Sequence, residues 1–115
     1  MIRYYAACDV FVLPTPKHPA TQIVSPTKFA EYVAMGKPIL STDVGDPPQF
    51  IRTSECGFVV ADNSIQSLID GMGRFKGMTK SGLIEMGARS RKLAEENFDW
   101  NKIGSQLVEA LQAYE

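Results

Sequence analysis

The sequence predicts an α/β domain built on a short parallel sheet of about three strands, with helices gathered toward its C-terminus. Three observations point there. Apolar runs stand at Asp9-Val10-Phe11-Val12-Leu13, Ile39-Leu40-Ser41-Thr42 and Phe58-Val59-Val60, each bounded by Pro or Gly, and continuous rather than alternating runs mark strands covered on both faces. A stretch with helix start and stop signals separates the first two. Beyond residue 62 the apolar spacing turns helical and stays so.

The opening residues Met1-Ile2-Arg3-Tyr4-Tyr5-Ala6-Ala7 read as the end of a helix, and the first strand ends at Pro14, which has no N–H to donate to a ladder. The stretch Ser25 to Gly36 then reads as a helix with Ser25 as N-cap, Pro26 at the first helical position and Gly36 as the stop. A strand, a capped helix and a second strand form a βαβ unit, whose right-handed crossover makes the strands parallel. Asp46-Pro47-Pro48 forms a turn into a helical turn from Pro48 to Arg52, and so a second crossover into the third strand. Ile65, Leu68, Ile69 and Met72 recur at helical spacing behind Ser64, and Leu83, Met86, Leu93 and Ala94 make a second stripe. Gly71, Gly73, Gly77 and Gly82 mark the break between these helices. Asp99 caps a last helix whose apolar face is Trp100, Ile103, Leu107, Leu111 and Tyr114. All three stripes read as core or interface faces. Three strands are few for a doubly wound sheet, so it reads as truncated, with an unpaired edge strand that favours a homodimer.

A chain of 115 residues with 44% hydrophobic and 22% charged residues fits one folded domain, burying roughly two-thirds of its unfolded surface. Twelve Lys and Arg against thirteen Asp and Glu leave a net charge of -1, which excludes a general field for nucleic acid or anionic membrane. Any anion site must be local. No apolar run approaches the roughly 20 residues of a bilayer span. Cys8 and Cys56 are too few for a disulfide scaffold and lack the paired spacing of a zinc site. Reduced thiols make the cytoplasm the expected compartment, with room for a membrane-associated parent.

In an open α/β sheet, ligands bind beyond the carboxyl ends of the strands, where residues 14–24 leave the first strand and enter the Ser25 helix. That helix start offers free N–H groups and the positive dipole end, to which Ser25 and Thr27 add hydroxyls and Lys28 a charge. The pattern fits an anion site and equally a capped surface helix with a solvated lysine. Glu31, one turn further, suits acceptance of two hydrogen bonds from a ribose diol, or pairing with Lys28 at i,i+3. His18, between Lys17 and Pro19, is either a donor-sugar contact or a solvated loop residue, while Asp43 and Gly45 can shape the cleft floor. Neither phosphate-binding glycine signature is present, and no His and carboxylate cluster suggests a metal.

The stretches Tyr5 to Pro14, Ser25 to Ile39, Thr42-Asp43-Val44-Gly45, Cys56 to Val60 and Phe98-Asp99-Trp100 together resemble the C-terminal domain of GT-B glycosyltransferases of the group 1 type. The resemblance extends over the whole chain. It implies a partial Rossmann-like, three-layer domain: residues 1–115 as the second half of a donor-binding domain, with the N-terminal domain absent. It further implies a parent that moves a hexose from a nucleotide diphosphate sugar to an acceptor sugar or lipid-linked glycan, with retention and no resident cofactor. Glu31 then takes the ribose hydroxyls, with Ser25, Thr27 and Lys28 by the diphosphate and His18 toward the sugar. The chain departs from the common pattern at Ile23 and Gln49, where many relatives carry glutamate. No catalytic residue is assigned, and the fragment alone is expected to be inactive. The alternative is a non-catalytic α/β module using the same surface for nucleotide or protein contacts.

Overall fold

The computed structural model describes residues 2–21 and 27–114. The chain runs α1 (Ile2–Ala7), β1 (Phe11–Leu13), α2 (Thr27–Ala34), β2 (Ile39–Thr42), α3 (Pro47–Ser54), β3 (Gly57–Val60), α4 (Ile65–Lys76), α5 (Lys80–Asn97) and α6 (Trp100–Gln112). The strands form a parallel sheet of order β1-β2-β3, as the two crossovers require. Phe11 pairs with Ile39 in one ladder, and Ile39 with Gly57 in the other. The first strand is shorter than its apolar run, since Asp9 and Val10 lie ahead of it. The cap expected at Ser25 and Pro26, and Ile23, lie outside the described residues.

Successive strand residues point to opposite sides, so each short strand feeds two cores. Phe11, Leu13, Ile39 and Val59 face a cluster completed by Phe29 and Val33 of α2, Ile51 of α3, and Leu93 and Ala94 of α5. Val12, Leu40, Phe58 and Val60 face the other way, onto Leu68 and Phe75 of α4 and Met86 of α5. Three layers result. An aromatic triangle of Phe29, Phe50 and Phe98, with centroids 5.5–5.9 Å apart, joins α2, α3 and the end of α5.

Helix α5 is the clamp. Ser90, fully buried, donates its hydroxyl to the carbonyl of Lys37 at 2.8 Å, just before β2, and lies 3.4 Å from that of Cys56, just before β3. Arg89 donates to the carbonyl of Glu55 at 2.7 Å and Arg91 to that of Ala34 at 2.7 Å. Those carbonyls end α3 and α2, where helices leave acceptors without partners and favour cations. Between these bonds the backbones of Gly87 and Gly36 meet so closely that a Cβ on Gly87 would lie 2.3 Å from the Gly36 carbonyl. Gly36 itself has φ +71°, the left-handed turn expected of a helix stop.

The helix boundaries at Ser64, Thr79 and Asp99 follow capping chemistry, each side chain accepting a backbone N–H two or three residues on. Three expectations need correction. In α4 the inward face is Leu68, Gly71 and Phe75, whereas Ile65, Ile69 and Met72 are exposed. The reason is steric: Gly71 sits where a Cβ would come within 2.6 Å of Leu40 and 2.9 Å of Val60, so α4 meets the sheet through its bare backbone and the stripe turns away. Of the four glycines expected at the break, only Gly77 ends a helix; Gly71 and Gly73 lie inside α4 and Gly82 inside α5. In α6 no residue is buried, with Trp100 83% and Leu111 60% exposed, so its apolar face is not part of this core.

Gly87→Ala is expected to cost about 1–3 kcal/mol through overpacking. Gly73→Ala, with nothing within 4 Å of the new carbon, should gain up to about 1 kcal/mol from helix propensity. Urea melts of both variants check the contrast. Cys56 is buried and Cys8 half-buried, and burial pushes the Cys56 thiol above its ordinary value of 9.0. The unfolded chain therefore ionises this group first, so its contribution to stability is complete below about pH 9 and is lost as pH rises further. Iodoacetamide at neutral pH should label Cys8 in the folded chain and Cys56 only on unfolding, as read by mass spectrometry.

Candidate functional site

The carboxyl ends of β1 and β2 are tied by Thr42, a fully buried residue whose hydroxyl donates to the carbonyl of Thr15 at 2.7 Å. This fixes where the chain leaves β1. Further on, residues 16–21 bond to themselves: the Thr21 hydroxyl lies 2.8 Å from the carbonyls of Pro16 and of His18 and accepts from the His18 N–H at 3.0 Å. His18 Nδ1 accepts the Ala20 N–H at 3.1 Å. One imidazole nitrogen is thus used to shape the loop, which leaves Nε2 as the outward donor. The ring stands exposed, outside the groove described next.

Helix α2 carries the other candidates. Its Thr27 and Glu31, one turn apart, line a groove of about 630 Å³ closed on its far side by Phe98, Trp100 and Ile103. Lys28, one position round the helix, is exposed and not part of that lining. Glu31 does not pair with it. Its Oε2 instead accepts from the Tyr5 hydroxyl of α1 at 3.3 Å. Burial, then the charge of Glu31 and the bond to it, raise the Tyr5 phenol above its ordinary value of 10.0. The tyrosine therefore stays a neutral donor across the physiological range.

Arg91, the one cation among the described residues of the groove wall, is engaged with the Ala34 carbonyl and, at 3.0 Å, with Glu95. With Glu31 and Glu95 both present, the groove itself accepts hydrogen-bond donors and repels anions. Thr27, at the start of α2, lines the same groove, while Lys28 beside it is exposed outside that lining. Asp43 accepts from Arg52 at 3.3 Å on the β2 side, an exposed pair worth less than about 1 kcal/mol. Gly45 takes a left-handed turn after it, with φ +71°.

Thus Thr27 and Glu31 are brought together, whereas Lys28 and His18 stand apart from their groove, and Ser25 lies outside the described residues. The partnership of Tyr5 with Glu31 has no signal in local spacing, because the two residues are 26 apart in sequence. Among the described residues, no helix is long and apolar enough to cross a membrane.

A parallel sheet covered on both faces, with a helix start at its carboxyl edge, is an α/β arrangement of the Rossmann-like kind. The same fold occurs in the sucrose-phosphate synthase of Thermosynechococcus elongatus, which superposes on 97% of this chain, and over 27% of its own length, with a TM-score of 0.77 at 23% identity. Residues 1–75 match the family described as Glycosyl transferases group 1, and the chain belongs to that family. Similar proteins include WcaL of Escherichia coli (strain K12), named for a colanic acid biosynthesis glycosyltransferase, at 26% identity over 91% of this chain. The WcaL of Salmonella typhimurium (strain LT2) is 27% identical over 90% of it. The chain spans about a quarter of the length of these curated relatives, 26% in each case.

Proposed function

We propose that this chain is the donor-binding part of a GT-B glycosyltransferase, the second half of its C-terminal domain, taking a nucleotide diphosphate sugar. The observation that carries this reading is the position of Glu31, a carboxylate one turn after Thr27 and lining the same groove. A ribose diol donates two hydrogen bonds to that carboxylate. The diphosphate then rests against the start of α2, where Ser25, Thr27 and Lys28 meet it, with His18 toward the donor sugar. As the sugar departs, negative charge grows on the diphosphate, and helix dipole and lysine stabilise it in place.

The reaction in the parent is transfer of a hexosyl group with retention, to an acceptor sugar or lipid-linked glycan held by a domain outside this chain. No resident cofactor enters this reading. Family membership and the likeness to WcaL support the transfer class and a setting in carbohydrate biosynthesis. The chain by itself binds donor without transferring sugar, since positioning of donor against acceptor contributes several orders of magnitude to rate. The cytoplasm is the proposed compartment. Self-association through an exposed strand edge belongs to the same reading, because β1 and β3 each have a ladder partner on only one side among the described residues.

Glu31→Gln is expected to weaken binding of a ribonucleoside diphosphate about tenfold, because the amide keeps the size and loses charge-assisted acceptance. Stability should move by no more than about 0.5 kcal/mol, the side chain being exposed. Titration calorimetry with uridine, guanosine and adenosine diphosphates checks this; unchanged affinity removes Glu31 from the site. Lys28→Ala should weaken the same binding and flatten its dependence on sodium chloride, since one phosphate contact is lost. Equal salt slopes in the two proteins would show a solvated lysine.

A further inference from the structure

Tyr5 is not part of the groove lining, and its ring packs against the core. It meets Phe11 edge-on at 5.3 Å and Tyr32 edge-on at 5.5 Å, while Phe11 and Tyr32 stack at 4.3 Å. Phe11 is the first residue of β1 and is buried, and Tyr32 follows Glu31 on α2. The Tyr5 ring is thereby packed against two rings from two other elements, and its hydroxyl reaches Glu31 Oε2 at 3.3 Å. A glutamate on an exposed helix surface otherwise samples many rotamers and loses that freedom when it binds.

We infer that Tyr5 is a positioning residue for nucleotide binding: its hydroxyl holds the Glu31 carboxylate in the orientation that receives a ribose diol. An ionised carboxylate has about four acceptor sites. Tyr5 takes one on Oε2, and the others remain for the diol from the groove side. The bond also selects the ligand class, since a carboxylate already oriented and partly satisfied suits a pair of neutral hydroxyls. This inference rests on the reading of Glu31 as the ribose acceptor.

The test compares ribonucleoside diphosphates with their 2′,3′-dideoxy counterparts, for uracil, guanine and adenine, by calorimetry on the chain. Tyr5→Phe keeps the ring cluster and removes only the hydroxyl. It should bind the preferred ribonucleotide about three- to tenfold more weakly, the worth of one hydrogen bond at the carboxylate, and bind the dideoxy form as the unaltered chain does. Glu31→Gln should abolish the preference for ribose, and Tyr5→Phe added to Glu31→Gln should change nothing more. If Tyr5→Phe keeps the full ribose preference, or weakens both ligands equally, the positioning role is overturned while the Glu31 reading stands. If Glu31→Gln keeps the preference, or the unaltered chain shows none, the Glu31 reading falls and the role of Tyr5 with it.

Discussion

The seating of α5 across the amino ends of β2 and β3 is the contact on which the rest of this structure depends. A three-stranded parallel sheet has few ladder bonds of its own, and its crossover helices end in carbonyls that the helices cannot satisfy. Arg89, Ser90 and Arg91, three consecutive residues, take up carbonyls at Glu55, Lys37 and Ala34. Each bond fixes the point where a chain segment turns toward the sheet. The bare Gly87 and Gly36 backbones allow the helix to come close enough for all three to form.

From that seam the placement of the candidate site follows. The Arg91 bond holds the end of α2 at Ala34, and the aromatic triangle holds Phe29 near its start. With both ends secured, the helix face bearing Thr27 and Glu31 is directed at the groove below α6. From α1, Tyr5 meets the same glutamate. The chemistry is carried by exposed polar groups on a scaffold whose two cores are apolar, so changes at the site should leave the fold intact.

Charge is divided in a way that net composition conceals. A chain with almost balanced charge places the carboxylates Glu31 and Glu95 in one groove and leaves Lys28 exposed outside it. Arg91, which a charge tally counts as an anion-binding cation, is used internally to end a helix. A nucleoside diphosphate has the same division, with neutral hydroxyl donors at one end and anionic oxygens at the other.

Local chemistry was legible in the sequence wherever a residue acts on its own neighbours: the three apolar runs, the caps at Ser64 and Asp99, the stop at Gly36 and the βαβ succession. The residues Thr27 and Glu31 were legible as candidates for the same reason, since one helical turn separates them. The buried face of α4 was not, because burial there is decided by what the partner surface admits, and Leu40 and Val60 admit a glycine backbone but no side chain. The apolar stripe of α6 likewise did not determine its burial, for a stripe supplies only the capacity to pack. The hydroxyl that meets Glu31 comes from 26 residues away, and the arginine that ends α2 from 57 residues beyond Ala34. Periodicity and capping act over four residues or fewer, so the sequence by itself determined the elements and their order. Which faces meet, and which side chain meets the Glu31 carboxylate, depend on contacts between segments distant in the chain, and those only the tertiary structure decided.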